Sequence, residues 1–394
     1  MKNKRIMEQI AELTEADGGK TLQSFRYSLD SQGMPTANYD DTPEGVIWNG
    51  LGEDSPSKIP TNLRGLAQSL YENCPEPIIR YFLDGSRHVY HIDDIAYNHK
   101  VYPVIAGQVG VACCQRTEGR MKKQSLVSEI VISLPKNCDK DGRHHEEYLA
   151  NHCATLNNNP LLSKFDYPIE IKKVLTYKTD RTEKIPFKDR ATATVQDYMS
   201  NAEKKMVDEL SKARVFGYKK MLVKDGSLEY APVSSLKTKY VDITGFLDSF
   251  RWVIGVSKSF NPENCKDKSG KKSNANEVIG LKQFERTPVA RIKIDRIPDV
   301  EFGVWYIRIR SIEQTRTPFD GLLKVEKILV TESEKANGLS TEEVDLISAT
   351  LINERIPTCY GSDLRFANHL YPVYLTEQFV KSNYISNEMF IKLF

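Results

Sequence analysis

No stretch of this 394-residue chain approaches the ~20 consecutive apolar residues of a membrane span. Its first residues, Met1 to Leu13, are charged and then amphipathic, without the apolar core of a signal peptide. Together these absences predict a cytoplasmic protein with no membrane contact. Net charge is almost missing too. The 55 Lys and Arg against 53 Asp and Glu leave +2, which excludes a uniformly basic nucleic-acid coat but not local basic patches. With 22 Gly and 18 Pro, collagen-like and low-complexity classes are excluded. The 7 cysteines (Cys74, Cys113, Cys114, Cys138, Cys153, Cys265 and Cys359) are odd in number and scattered, so they read as free thiols.

What is present is ordinary globular material, 40% hydrophobic, enough for one large core or two smaller ones. Residues 1–75 are rich in turn formers between two short helical patterns, Met7–Leu13 and Leu63–Tyr71, and read as a loose N-terminal cap. Residues 76–394 read as the main domain. From Pro77 the segment PIIRYFLDGSRHVYHIDDIAY alternates apolar and polar residues about Gly85-Ser86, which predicts a β-hairpin. VYPVIAGQVGVACC and SLVSEIVISLP continue as β-branched strands. Asp189–Arg214 carries the longest helical pattern, with Val195, Met199, Met206 and Leu210 on one face. ARIKIDRI, GVWYIRIRSIEQTR and LLKVEKILVTES predict an antiparallel meander, and helices near Glu342–Ile352 and after Pro372 close the chain. The order of elements predicts a mixed α/β fold without internal repeats.

Two segments share a tripeptide. RYFLDGS places Asp84, and KMLVKDGSL places Asp225, at the end of an apolar strand before Gly-Ser. A carboxylate at such a rim projects from the sheet, with a small neighbour that lets a ligand approach the backbone. Two of them on adjacent strands can hold hard divalent cations, and a two-ion site can activate water and stabilise the leaving oxygen of a phosphodiester. The same Asp-Gly pairs also read as simple turns. Glu203, in SNAEKKMV on the long helix, is the candidate third carboxylate, with Glu209 as its competitor. Lys258, in WVIGVSKSF, can face the same rim and neutralise a phosphate.

The order of these motifs resembles the NurA nuclease family. They are LDGSR from Asp84, Glu203, KDGSL from Asp225, GVSK ending in Lys258, KVEK with Glu326, and YPVYL from Tyr371, over about Tyr81 to Lys381. The resemblance implies an RNase H-like/PIWI-like mixed sheet flanked by helices, with an N-terminal extension and insertions around residues 107–188. It implies a Mn2+- or Mg2+-dependent DNA nuclease with two ions, usually a homodimer. Its partner would be a HerA-type hexameric ATPase, in DNA end resection or anti-phage defence. The family pattern closes on Ala-His, where this chain has Gln378 and Phe379; His369 and Glu377 are the nearby substitutes. The expected metal set is therefore Asp84, Glu203, Asp225 and His369, with Lys258 at the phosphate. Arg87, Arg308, Arg310, Lys271 and Lys272 are the expected DNA contacts. Trp305 and Tyr306, interleaved with Arg308, Arg310 and Arg316, offer base stacking. Loss of the closing Ala-His favours an alternative, a catalytically silent nucleic-acid-binding or scaffold subunit of the same fold.

Other signals are weaker. GGKT at Gly18–Thr21 lacks the first glycine of a phosphate loop. Cys138, His144, His145, His152 and Cys153 lack the paired spacing of a zinc finger. No Gly-x-Ser-x-Gly elbow supports a hydrolase triad.

Overall fold

The computed structural model describes residues 5–15, 17–22, 26–29, 46–57, 60–74, 76–138, 145–164, 169–180, 185–228, 243–266, 272–294, 299–315, 318–354 and 369–394. The chain begins with α1 (Ile6–Glu15), β1 (Gly19–Leu22), β2 (Tyr27–Ser28), β3 (Val46–Leu51), β4 (Thr61–Asn62) and α2 (Arg64–Asn73). Three long strands follow, β5 (Ile79–Tyr97), β6 (Lys100–Thr117) and β7 (Arg120–Pro135). Then come α3 (His145–Asn157), β8 (Ile171–Tyr177), α4 (Phe187–Lys212), β9 (Met221–Asp225), α5 (Ile243–Phe250) and β10 (Val253–Ser257). After α6 (Ala275–Ile279) the strands β11 (Glu285–Arg286), β12 (Ala290–Ile294), β13 (Glu301–Arg308) and β14 (Leu322–Ile328) complete the sheet. The last helices are α7 (Glu332–Asn337), α8 (Thr341–Ile352), α9 (Tyr371–Ser382) and α10 (Asn387–Leu393).

These strands form one mixed sheet in the order β3-β12-β13-β14-β10-β9-β5-β6-β7-β8, with β1 and β2 on β5, and β11 linking β4 to β13. The fold is thus a mixed α/β sheet flanked by helices, as the element order predicts. Tight turns join the long strands: Asn98 (φ 56°) follows β5, and Glu118 and Gly119 (φ 52° and 71°) follow β6, both turns using the left-handed backbone of two-residue hairpins. β9 runs parallel to β5 and to β10, a pairing that needs crossovers rather than hairpins.

Period-2 alternation sends neighbouring residues to two separate cores. Leu83, Val111 and Val89 pack with Val195, Met206 and Val207 of α4 on one face. Phe82, Val223 and Val325 pack with Leu351 of α8 and Val373 of α9 on the other. No described helix is long and apolar enough to cross a membrane.

Three expectations differ from the fold. β5 is one continuous strand of 19 residues, so Gly85-Ser86 is not a turn. The segment before residue 75 is not a detached cap: β1 and β2 pair with β5, and β3 forms the sheet edge beside β12. Within the span expected as an insertion, β6 and β7 are integral strands of the sheet. A turn-rich sequence between short strands and a long strand interrupted by Gly-Ser are locally ambiguous, and the pairing partners decide both. GGKT is strand β1 with its preceding turn, not a phosphate loop.

Candidate active site

The site is built where β9 leaves the sheet. Apolar Met221–Val223 carry β9 into the core beside Ile79–Leu83 of β5. β9 then ends at Asp225, because Gly226 takes a left-handed conformation (φ 82°) that a glycine adopts without strain. Leu83 pairs with Lys224 in parallel register, so one residue further Asp84 and Asp225 lie side by side on adjacent strands. Adjacent strands are about 4.8 Å apart. Both carboxylates share the face of Phe82, beneath α9. The two acidic residues thus occupy adjacent strands on one face, although Asp84 lies within a strand rather than at its end.

β10 supplies the cation. Val256 pairs with Asp225, and two residues beyond it Lys258 places Nζ 2.9 Å from Asp225 Oδ2. The same Nζ is 2.9 Å from His369 Nε2 and 3.9 Å from Glu377 Oε2. His369 stands two residues before α9, whose Pro372 opens the first turn, and Glu377 projects from the middle of that helix. His369 and Glu377 therefore both reach the cluster. His369 is 2% exposed and is no surface-loop histidine.

Electrostatics sets the states of these groups. Asp84 is 5% exposed; burial, reinforced by the charge of Asp225, pushes its carboxyl well above the usual carboxylate range, while Lys258 pulls it down. For Lys258, burial works against the charge, but Asp225, Glu377 and Asp84 outweigh it and raise the ammonium's pKa. Glu377 also resists ionisation through burial. The hydrogen bond from His369 and the charges of Lys258 and Lys381 overcome this and hold it well below the usual range. His369 Nε2 lies 3.1 Å from Glu377 Oε2, so it either accepts from Lys258 or donates to Glu377, not both at once. Its Nδ1 is buried with no hydrogen-bond partner among the described residues. The carboxyl groups of Asp84, Asp225 and Glu377 thus surround the Lys258 ammonium, and Lys381 adds a second cation at Glu377.

Glu203 is not in this cluster. It occupies a core-facing position of α4, between Met199 and Met206, and is buried there. Its carboxylate approaches the sheet from the opposite face, directly over Gly85: a Cβ at Gly85 would lie 2.3 Å from Glu203 Oε1. It pairs with Lys224 at 3.5 Å. Asp84 still feels its charge, as a lesser cause of the raised pKa. Its competitor Glu209 is exposed and pairs with Lys205.

A second polar cluster lies on that opposite face, around Glu326 and Lys224. Glu326 of β14, paired across the sheet with Gly255, accepts hydrogen bonds from Ser227 Oγ (2.8 Å) and Leu228 N (2.6 Å) and pairs with Lys324 (2.7 Å). These bonds fix the Gly226–Leu228 turn immediately after Asp225. The sequence cues are a lysine at position 224 within apolar MLVKD and Glu326 of the KVEK motif within LLKVEKI.

The expected DNA contacts do not converge. Arg308 is fully buried, and its guanidinium donates to the carbonyls of Ile279, Pro318 and Asp320. Trp305 is buried and donates to Ser348, and Tyr306 is buried beside Phe260. The correction has a simple cause: β13 lies between β12 and β14 with both faces covered, so its alternation reports two cores rather than one exposed basic face. Arg310 is half-buried, and desolvation lowers its pKa. Arg87 points to the α4 face and donates to Gln196 at 2.5 Å. Lys272 is exposed on the 266–272 loop; Lys271 and Arg316 lie outside the described residues. Cys153 donates to the Ile171 carbonyl. Among the described residues no three His, Cys, Asp or Glu side chains stand at metal-ligand spacing.

No protein-family model matches the chain, and no curated protein matches it in sequence. Among solved structures, the NurA nuclease from Sulfolobus solfataricus is similar at a TM-score of 0.42 and 11% identity, over 84% of this chain and 90% of that one. A likeness so slight assigns neither residues nor activity, and these rest on the geometry alone.

Proposed function

We propose that this chain is a DNA nuclease that hydrolyses phosphodiester bonds with a divalent cation, Mn2+ or Mg2+, held by Asp84 and Asp225. The observation that carries the proposal is the carboxylate pair on one sheet face, buried Asp84 beside part-buried Asp225, with Asp84 held above its usual pKa by burial and by Asp225. A group so disfavoured as an anion gains most from a bound cation. Hard ions of this kind take one or two carboxylates and keep water and phosphate oxygens as their other ligands, so the donors present fit. A second ion would draw on Glu377, which shares the face of Asp84, rather than Glu203, which stands across the sheet. When bound, the ion supplies Lewis acidity at the phosphoryl oxygen and a more acidic water.

The remaining roles belong to the chain. Lys258 stays cationic and is poised to exchange Asp225 for a scissile phosphate oxygen, where its charge offsets that of the transition state. Glu377, held ionised, is a poor base and serves to orient Lys258 and His369. Burial strengthens each of these interactions by excluding bulk water.

Digestion of linear DNA with Mn2+ or Mg2+, by the wild type and by Asp84→Asn and Asp225→Asn, tests the proposal. Loss of about 100-fold or more in rate is expected for each variant. Equal rates in wild type and variants would overturn it.

One observation favours the alternative of a catalytically silent DNA-binding subunit. The Lys258 ammonium already contacts Asp225 at 2.9 Å, where a metal ion would bind. Binding of DNA with no cleavage under either metal would select that alternative. A HerA-type ATPase partner and a homodimeric state extend the proposal on the strength of the motif order alone. Co-purification with such an ATPase and light scattering test them.

A further inference from the structure

A groove of about 1110 Å3 lies on the same face of the sheet as Asp84, on the far side of α9. That is above the usual range of small-molecule pockets, roughly 300–1,000 Å3. Its floor adjoins the strands of the carboxylate site: fully buried Ala112 of β6 is the cross-strand partner of Asp84, and Cys114, two residues along the same face, lines the groove. Two residues of strand span about 7 Å. Helix α9 forms the shared wall, with Tyr371 and Phe379 towards the groove and Glu377 in the carboxylate cluster.

The lining separates into neutralised and free charge. Arg116 is paired through both terminal nitrogens with Glu354, and Arg80 is paired with Glu76. Arg120, Lys122 and Lys123, on the stretch of β7 before its pairing with β8 begins, have no partner among the described residues. Glu118, on the hairpin tip, is the one acidic side chain of the lining outside those pairs. Opposite the cations stand exposed aromatics, with Tyr71 78% and Tyr371 37% accessible.

We propose that this groove, with Arg120, Lys122 and Lys123 on phosphates and Tyr71, Tyr371 and Phe379 on bases, is the track that leads a single nucleic-acid strand to Asp84 and Asp225. The inference rests on the nuclease proposal for the meaning of the destination. Binding of the strand itself is independent of it. Free cations clustered along one groove wall with aromatic faces beside them are what a sequence-tolerant single-strand track requires. Lysines on an unpaired strand edge also discourage edge-to-edge aggregation, but that role needs neither the groove nor the aromatics.

The test is fluorescence anisotropy with a labelled oligo-dT strand in EDTA, so that nothing is cleaved, over a series of salt concentrations. The triple variant Arg120→Gln, Lys122→Gln, Lys123→Gln should bind about tenfold more weakly or worse, and its log–log salt slope should be about 2 smaller than the wild type's. Tyr71→Ala with Tyr371→Ala should weaken binding about tenfold while leaving the slope unchanged. All these cations are exposed, so unchanged melting temperatures confirm folded variants.

Unchanged affinity and slope in the triple variant would overturn the groove, even if the wild type cleaves DNA and the nuclease proposal stands. A wild type that binds no strand would overturn it as well. Binding through the groove by a wild type that cleaves nothing would uphold the track and sink the nuclease.

Discussion

Replacing Lys258 with methionine isolates the electrostatic argument at the site. Methionine keeps most of the side-chain length and apolar stem while removing the charge. The lost ammonium sits 2.9 Å from Asp225 and 3.9 Å from Glu377, is 6% exposed, and is the cation that lowers the Asp84 pKa. Removing one partner of a buried ion pair typically costs about 3–5 kcal/mol, because the remaining charge is left uncompensated. With an unfolding entropy of ~2.1 cal/mol/K per residue over 394 residues, this lowers Tm by about 4–6 °C in EDTA. If Asp84 and Asp225 form a cation site, the variant should then respond more strongly to Mn2+ or Mg2+ than the wild type does, because no ammonium competes. Saturation at ~100 times Kd restores about 2.7 kcal/mol, or roughly 3 °C. Calorimetry with EDTA, Mg2+ and Mn2+ reads both effects. A variant whose Tm is unchanged in EDTA refutes the claim that Lys258 compensates the carboxylates. A variant insensitive to both metals refutes the cation site.

Two further predictions follow from individual contacts. Asp84 has a raised folded-state pKa, so its protonated form is the one that stabilises the fold: its contribution is fully present at low pH and lost as pH rises through the folded value. In EDTA, Asp84→Asn should therefore melt above the wild type near neutral pH, with the gap closing as pH falls, while abolishing cleavage; a constant gap across pH would contradict the assignment. Gly85→Ala drives a methyl to within 2.3 Å of Glu203 Oε1 and 2.9 Å of its Cδ, and should destabilise by about 1–3 kcal/mol in denaturant titration, whereas a mere turn glycine at an ordinary strand φ would gain from alanine.

The sequence was most legible where a residue type is expensive. Asp84, Asp225 and Lys258 sit inside or directly after apolar runs, where a charge must have a partner, and all three meet. His369 and Glu377 stay open alternatives in the sequence because helix phase alone does not say which way a loop histidine or a mid-helix glutamate turns; the buried His369 ring, 3.1 Å from Glu377 and 2.9 Å from Lys258, resolves both towards the cluster. The meander of β12, β13 and β14 was equally plain from its β-branched runs. What failed were inferences about exposure and turns. Gly85-Ser86 reads locally as a hairpin tip, yet the glycine is there because a carboxylate lies on the backbone at that point. Arg308 reads locally as a surface cation, yet three carbonyls from α6 and the loop before β14 surround it. Both errors share a cause: partners distant in sequence set the meaning of a local pattern.

Glu203 is the residue on which sequence order and geometry divide most sharply. The motif order casts it as a metal ligand beside Asp84, but successive residues of β5 point to opposite faces, so the sheet itself stands between the two carboxylates. To ligate with Asp84, Glu203 would have to leave Lys224, buried and 3.5 Å away, and pass the backbone at Gly85. Its placement instead suits a positioning role. It holds Lys224, whose Nζ also donates to the Ser227 carbonyl at 3.2 Å, and so braces the turn that ends β9 at Asp225. Glu203→Gln should consequently leave metal affinity within about threefold of the wild type by calorimetric titration, with the larger loss in kcat, while Asp225→Asn abolishes metal binding. If Glu203→Gln removes metal binding as completely as Asp225→Asn does, the carboxylate crosses to the ion on binding, and the two-faced arrangement argued from β5 gives way to a single site shared around Gly85.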